Sequence, residues 1–335
     1  MRTFLVACLA FLACVSAGAD GAQGVGVLNP LVLQRADPWI LHHSDGFYYF
    51  TASVPAYDRI EIRKANTISG LANASPVIVW RKHLLGDMAA NIWAPELHFI
   101  DRAWYIYFAA GSTLSPYEVR LYVLENSSAD PTKGTWNEKG PLRTNWDAIT
   151  LDGTTFSCGG SRYLVWAQRG LQNRMDGPMD LYIARMSNPW TIVGEQVRIA
   201  GADRSWELRE RRTVEGPAVL QRNGKVFITY SANHVDASYC MGMLTASADS
   251  DLLDHLSWTK SEQPVFDSNP SAGIWGPGHA SFTTSADGRT DYLVYHARSN
   301  PNVTNPPILD PNRDTRVQAF SWNDDGTPDF GVPQP

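Results

Sequence analysis

Residues 213–230 read TVEGPAVLQRNGKVFITY, and this stretch decides the fold class. Two apolar runs, 217–221 and 226–230, flank the residues RNGK at 222–225. Asn-Gly between apolar runs is a strong hairpin signal, because both residues tolerate the positive φ of a tight turn. The stretch therefore predicts two antiparallel strands joined by a turn. Glu215 stands at the mouth of the first strand, where a hairpin by itself requires no carboxylate.

Four other segments repeat this pattern of a polar or aromatic opener, a short strand, a turn with Gly or Asp, and an aromatic-rich strand. They are residues 37–50, 93–108, 152–166 and 279–295. A further strand follows each hairpin, at 60–63, 120–124, 181–185, 241–244 and 316–320. The turns lie near Gly46, Arg102, Gly160, Gly224 and Gly288, at steps of 56, 58, 64 and 64 residues. Such regular self-similarity indicates a repeat architecture.

Four short strands per unit, repeated five times, are typical of a β-propeller. Long helical periodicity is absent, and the best helix candidate, residues 248–256, is short. The sequence therefore predicts an all-β fold, one five-bladed β-propeller over about 25–332, with no linker. The segment RSWELRERR at 204–212 is interpreted as a charged loop in solvent.

The first residues predict export. A charged start, an apolar run over 4–15 and small residues up to Ala19 have the form of a signal peptide. The apolar run is short for a bilayer span, and no later segment has about 18 uninterrupted apolar residues. We therefore expect a signal peptide at 1–19, a single five-bladed β-propeller domain at 20–335, and a secreted, extracellular protein that does not bind membranes.

Two cysteines, Cys158 and Cys240, remain after the predicted cleavage. In a secreted protein they could form one disulfide, and two buried free thiols are the alternative. Asn73, Asn126 and Asn302 begin glycosylation sequons, which are used only in a eukaryotic host.

Composition narrows the class of partner. The chain has 28 Lys and Arg against 34 Asp and Glu, a formal net charge of -6, and no basic cluster, which argues against nucleic acid. Its 12 Trp residues are numerous. Core filling accounts for most of them, but exposed Trp faces also stack on sugar rings.

The openers of the five hairpins form the candidate site. Counting back eight or nine residues from each turn gives Asp37, Trp93, Asp152, Glu215 and His279. The first strand of every propeller blade lines the central channel, so we expect these side chains in one cavity. Three acids in one cavity are unfavourable as structure alone, because like charges raise each other's pKa. Glycoside hydrolysis, by contrast, uses two carboxylates across a sugar, and a third can keep the donor protonated.

Five motifs occur in order on the five repeats, and together they resemble glycoside hydrolase family 43. They are RADPW at 35–39, WAPE at 93–96, Asp152 before a strand, EGP at 215–217 and GPGH at 276–279. Members of this family are five-bladed propellers that hydrolyse arabinose and xylose linkages with inversion. Segments 49–60, 244–248 and 310–318 further resemble its secreted exo-acting 1,5-α-L-arabinofuranosidases.

The resemblance implies a role for each acid. Asp37 is expected to be the general base, Glu215 the general acid, and Asp152 the residue that raises the pKa of Glu215 and orients it. Asp147 is a nearby rival for the third role, but it lies outside the repeat register. Inversion implies about 6.5–9.5 Å between the base and acid carboxyls.

The resemblance also implies residues that contact the sugar: Trp93, His279 and Arg316, with Trp166, Tyr57 and Asp58 as further candidates for pocket walls. No metal ligand is certain. His279 could contact a structural Ca²⁺ on the propeller axis through water, or be a hydrogen-bonded histidine without metal. No EF-hand-type acidic cluster is present, so no cofactor is expected to be required.

The expected function is release of terminal α-L-arabinofuranose from 1,5-linked arabinan of plant cell walls, or from arabino-oligosaccharides, by a monomer. β-Xylosidase, arabinoxylan-debranching and endo-arabinanase activities remain open on the same fold. Exo action needs a closed pocket and endo action an open groove. A non-catalytic sugar-binding propeller is the alternative of a different class.

Overall fold

The computed structural model describes residues 27–171, 177–304 and 306–335; the predicted signal peptide lies outside them. Five antiparallel sheets of four strands each confirm the predicted all-β propeller. Within the described residues, no helix is long and apolar enough to cross a membrane. The strands, blade by blade, are β1(Ala36–His42), β2(Tyr48–Ser53), β3(Arg59–Ala65) and β4(Val77–Arg81); β5(Ala90–Ile100), β6(Ala103–Gly111), β7(Arg120–Asn126) and β8(Asn137–Pro141); β9(Thr150–Cys158), β10(Ser161–Arg169), β11(Met179–Asn188) and β12(Thr191–Ala200); β13(Val214–Arg222), β14(Lys225–Ala232), β15(Cys240–Ser247) and β16(Thr259–Lys260); β17(Trp275–Thr284), β18(Asp291–Arg298), β19(Asp314–Trp322) and β20(Pro328–Asp329).

The first strands of the blades form the inner ring. Strands β1, β5, β9, β13 and β17 contact one another in order, and β17 contacts β1, so the ring is closed. The two ends of the chain meet in blade five. The backbone N–H of Leu31 donates to the carbonyl of Thr315 at 2.8 Å, and the N–H of Thr315 donates to Val32 at 2.9 Å. The segment before β1 thereby ties blade one to the last blade.

Burial follows the position of a strand within its blade. The second strands β2, β6 and β14 are buried along nearly their whole length, because neighbouring blades pack on both of their faces. The fourth strands β4 and β8 are largely exposed. Trp104 and Trp166 are fully buried on second strands. Each large apolar side chain buried in this way stabilises the fold by about 1.5–3 kcal/mol.

One local expectation is wrong, and a second is wrong for two of its residues. The helix candidate 248–256 is not an α-helix; the structure has only a short 3₁₀ turn, His255–Ser257, at its end. In the charged segment 204–212, Trp206 is buried and Glu207 is fully buried. Glu207 accepts hydrogen bonds from Lys260 and Tyr230, both at 2.7 Å. The charge pattern could not reveal this burial, because both donors come from distant strands.

Cys158 and Cys240 are both buried and free, so the free-thiol alternative is the correct one. The three sequons differ in exposure. Asn126 is buried, and its side-chain amide donates to the carbonyl of Lys133 at 2.7 Å, which leaves no room for a glycan. Asn73 and Asn302 are exposed.

Candidate active site

Each inner strand carries a β-bulge at the end that faces the cavity. Bulges re-aim side chains and are frequent beside active sites. In the bulge next to each predicted opener, one residue has a positive φ, a backbone conformation that is unfavourable for residues other than Gly. These residues are Asp37 at 55°, Ala94 at 47°, Asp152 at 56°, Gly216 at 57° and His279 at 48°.

The positions of the bulges show which residues of the five inner strands are structurally equivalent. The strict equivalence of the five openers is wrong for two of them, because Ala94 and Gly216 are the true counterparts of Asp37. Trp93 and Glu215 lie one residue earlier. Counting nine residues back from the turns of blades two and four reached one residue too far, because the hairpin connections differ in length. Blades one and five have long connections, 43–47 and 285–290, whereas blades two to four have two-residue connections.

All five openers nevertheless line one cavity of about 270 Å³ at the centre of the ring. Tyr117 forms part of its rim and is 44% exposed, with its ring centroid 6.2 Å from that of Trp93. The other cavity-lining residues include cationic, polar and apolar side chains: Arg169, Arg211, Arg313, Asn233, His234, Thr213, Val119, Ile149, Leu151, Met179, Val235, Pro306 and Ile308. A second, polar groove of about 550 Å³ has Glu118, the neighbour of Tyr117, in its lining.

Asp37 is a buried carboxylate beside hydrogen-bond donors, the cationic Arg313 and two histidines, His279 and His296, whose pKa values are lowered by burial so that both are neutral at pH 7. The hydroxyl of Ser53 donates to its Oδ2 at 2.6 Å. Oδ1 lies 3.2 Å from Nδ1 of His279 and 3.5 Å from the guanidinium of Arg313. Burial alone raises the pKa of Asp37, but His279, Arg313, His296 and Ser53 outweigh it and lower the pKa to about 2. Asp37 is therefore ionised throughout the physiological pH range.

Asp152 and Glu215 have the opposite environment. Burial raises the pKa of Glu215, and burial together with the charges of Glu215 and Asp37 raises the pKa of Asp152 well above its usual range. Oδ2 of Asp152 accepts the backbone N–H of Gly216 at 2.9 Å, and Oε1 of Glu215 accepts the hydroxyl of Tyr239 at 2.9 Å. The charges of Arg211 and Arg313 lower the pKa of Glu215, but burial outweighs them. The pair therefore favours retention of a proton.

Two of the predicted binding residues lie in the cavity wall, Trp93 and His279, and a third supports it. The ring of Tyr57 packs edge-on against Trp93, with centroids 5.8 Å apart. Its hydroxyl donates to the carbonyl of Ile308 at 2.7 Å and accepts from Arg313 at 2.9 Å. Tyr57 thus fixes the position of both Trp93 and Arg313.

The other predicted residues lie elsewhere: Arg316, Trp166, Asp58 and Asp147 are not in the cavity lining. Arg316 lies on β19, the third strand of its blade, and its guanidinium donates to the Ser299 hydroxyl at 3.2 Å. Trp166 is fully buried and donates to Gln168 at 2.7 Å. Asp58 pairs with its neighbour Arg59 at 2.8 Å. The side chain of Asp147 is 85% exposed and pairs with Arg120 at 2.7 Å.

Sequence reasoning missed Arg313, which contacts Asp37 directly. The segment DPNRDTR at 310–316 drew attention to an arginine, but it contains two. Strand β19 begins at Asp314, so Arg313 ends the preceding loop and reaches the cavity, while Arg316 lies within the sheet. Ser53 and Ser231, on second strands, and Tyr239, in the loop before β15, were also missed, because a buried hydroxyl carries no sequence signal of its own.

The described residues include no group of three or more His, Cys, Asp or Glu side chains that could hold a metal ion. Nδ1 of His279 lies beside Asp37. An axial Ca²⁺ near His279 therefore stays a prediction, and no chemical step below uses a metal.

A five-bladed propeller with one ionised and two proton-retaining carboxyls in its central cavity defines the class of glycoside hydrolases. The family model "Glycosyl hydrolases family 43" matches residues 27–328. This chain belongs to that family.

Similar proteins agree with this assignment. The chain is 52% identical over 317 residues to the extracellular exo-alpha-(1->5)-L-arabinofuranosidase of Streptomyces avermitilis, covering 95% of this chain and 66% of that protein. It is 50% identical to the protein of the same name from Streptomyces chartreusis, covering 83% and 84% of the two chains. The crystal structure of an alpha-L-arabinofuranosidase from Lactobacillus brevis superimposes with a TM-score of 0.88 at 50% identity, covering 92% of this chain and 97% of the other. The chain thus spans about two thirds of the length of the Streptomyces avermitilis relative.

Proposed function

We propose that this protein is an exo-acting, inverting α-L-arabinofuranosidase that releases terminal arabinose from 1,5-linked arabinan or arabino-oligosaccharides. The observation that carries the proposal is the contrast between the carboxyls of one cavity. Asp37 is held ionised, whereas Glu215 and Asp152 have raised pKa values. Inverting hydrolysis needs this combination of a carboxylate base and a protonated acid. The two Streptomyces relatives carry the corresponding activity in their names.

In the proposed mechanism Asp37 acts as the general base. It takes a proton from the water that attacks the anomeric carbon. Its low pKa makes it a modest base in solution, but it gains effectiveness because the water is held against it in the correct geometry. His279 and Arg313 stabilise its charge before the reaction and orient Oδ1.

Glu215 acts as the general acid and donates its proton to the departing glycosidic oxygen. Burial raises the pKa of Glu215 and of Asp152, and the two carboxyls together retain a proton, because a negative charge on one disfavours ionisation of the other. When Glu215 loses its proton, the hydroxyl of Tyr239 is already directed at Oε1 and stabilises the new carboxylate.

The shape of the cavity supports exo action. Ligand pockets generally measure about 300–1,000 Å³. At about 270 Å³ the cavity lies just below this range, which favours a single sugar residue over a chain threading through. Trp93 provides an aromatic face for the terminal sugar, and Tyr117, at the rim, provides one for the next sugar unit. The polar groove that starts beside Tyr117 provides space for sugar units on the leaving side.

We further propose that the protein is secreted and acts as a monomer on plant cell-wall arabinan, without a required cofactor. The N-terminal sequence and the word "extracellular" in the names of both Streptomyces relatives support secretion. Activity that persists after dialysis against EDTA would support metal independence, whereas loss of activity restored by Ca²⁺ would overturn it.

The decisive experiment is incubation of the purified protein with linear, debranched 1,5-arabinan. Arabinose as the only early product, initially in the inverted anomeric form by NMR, is the expected result. A ladder of oligosaccharides would show endo action instead. Absence of product, with turnover of xylo-oligosaccharides or arabinoxylan in parallel reactions, would overturn the substrate assignment. Glu215→Gln serves as the inactive control.

A further inference from the structure

One position on the second strand recurs in all five blades, directly opposite the residue that precedes the bulge. It is occupied by Ser53, Ala109, Ala167, Ser231 and His296. The two alanines show that the propeller does not need a polar side chain at this position. The two serines occur in the blades that supply Asp37 and Glu215, the proposed base and acid. Their placement therefore points to a role in the site rather than in folding.

The Ser53 hydroxyl both accepts and donates a hydrogen bond. Its oxygen accepts the backbone N–H of Ala94, the bulge residue of the next blade, at 2.8 Å. A hydroxyl has one proton to donate, and that of Ser53 goes to Oδ2 of Asp37 at 2.6 Å. Ser53 is buried, so no bulk water competes for these bonds. It thus fixes which oxygen of Asp37 is held and leaves Oδ1 directed towards His279 and Arg313.

Ser231 repeats the arrangement in blade four, with a tyrosine added. Its oxygen accepts the N–H of His279, again the bulge residue of the next blade, at 2.7 Å. Ser231 and the fully buried Tyr239 both border Gly278, where an added Cβ would lie 2.7 Å from the Ser231 hydroxyl oxygen and 2.5 Å from the Tyr239 ring. Ser231 lowers the pKa of the Tyr239 phenol, as a donor beside the phenol oxygen does. The single Tyr239 proton is directed at Oε1 of Glu215, 2.9 Å away, which leaves Oε2 to carry the acidic proton.

We propose that Ser53 and the pair Ser231–Tyr239 are positioning residues that hold the base and the acid through chains of directed hydroxyls anchored on the next blade. None of the three lies in the cavity lining. The inference rests on the proposed function, because it takes Asp37 as base and Glu215 as acid. Each chain stabilises a carboxylate: that of Asp37 before the reaction, and that of Glu215 as its proton leaves.

The test compares Ser53→Ala, Ser231→Ala and Tyr239→Phe in the full-length protein on two substrates. One is 1,5-α-arabinotriose, and the other is an aryl α-L-arabinofuranoside with a good leaving group. Ser231→Ala and Tyr239→Phe are expected to lower kcat about tenfold on the trisaccharide and less on the aryl substrate, which needs little protonation. The alkaline limb of activity should move to higher pH in Tyr239→Phe, because Glu215 loses a bond that favours its ionised form. It should move by less in Ser231→Ala, where the bond remains but the phenol is less firmly held. Ser53→Ala should lower kcat about tenfold on both substrates, because both need activated water.

Matched controls come from the same strands. Thr51→Val and Thr229→Val each remove a buried hydroxyl two residues before the serine, and both should retain wild-type kcat and pH profile. If Tyr239→Phe fails to fold, Ser231→Ala carries the test, since alanine already occupies this position in two blades. The inference would be overturned if the serine variants kept the wild-type kcat, the wild-type ratio of activity on the two substrates and the wild-type alkaline limb. Near-wild-type turnover by Asp37→Asn or Glu215→Gln on the trisaccharide would instead overturn the proposed function.

Discussion

Replacing the proposed base and the proposed acid by their amides should change stability in opposite directions. Asp37 is ionised and surrounded by His279, Arg313 and the Ser53 hydroxyl. Its folded-state pKa of about 2, against 3.8 in the unfolded chain, corresponds to at most about 2.5 kcal/mol of stability at neutral pH, because His279 and His296, which contribute to the low pKa, have lowered pKa values themselves and are neutral at pH 7. Asp37→Asn removes this contribution. For a domain of this size about 1 kcal/mol changes Tm by about 2 °C, so Tm should fall by up to about 5 °C.

Glu215 makes the opposite contribution. Its folded-state pKa is raised, chiefly by burial, so keeping it ionised at neutral pH opposes folding. Glu215→Gln removes the ionisable group, and the amide oxygen can still accept the Tyr239 hydroxyl. We expect its Tm at pH 7 to equal or exceed that of the wild type. Asp152→Asn should behave in the same way, because burial raises its pKa too.

Scanning calorimetry at several pH values checks both the sign and its cause. The contribution of Asp37 is present above its unfolded pKa and is lost as pH falls through about 2. The deficit of Asp37→Asn should therefore shrink to about half at pH 3. A Tm of Asp37→Asn at or above the wild type at pH 7 would refute the assigned electrostatics. So would a Glu215→Gln variant that is less stable than Asp37→Asn.

Three further outcomes are expected from kinetics. Glu215→Gln should lose turnover on arabino-oligosaccharides by about 10²–10⁴-fold yet keep part of it on aryl arabinofuranosides, whereas Asp37→Asn should be inactive on both; a reversed pattern would exchange the two roles. Arg313→Ala should raise the pKa of Asp37, so that activity is lost at higher pH on the acid side, while Arg316→Ala should leave this limb unchanged; equal shifts in the two variants would contradict the placement of Arg313 in the cavity. Tyr117→Ala should raise KM on arabinotriose several-fold without raising it on the aryl substrate, and equal effects on both would place Tyr117 against the terminal sugar instead.

The five-fold repeat was predictable because each hairpin is a local event. An Asn-Gly turn between apolar runs specifies its own strands, and five copies specify blades that must stack to bury their faces. The meeting of Asp37, Asp152 and Glu215 followed from the repeat, since inner strands of a propeller share one channel. The resemblance then supplied the roles that spacing alone leaves open.

The register of the inner strands and the side chains that contact each carboxyl depended on tertiary structure. Trp93 and Glu215 lie one residue before the bulge because hairpin connections differ in length, which counting along the sequence cannot correct. Arg313 rather than Arg316 reaches Asp37 because the strand begins between them. A sequence shows which groups can ionise, but the pKa of each depends on burial and on partners from other blades. Such contacts form only when the ring closes, and they separate an ionised base from a protonated acid.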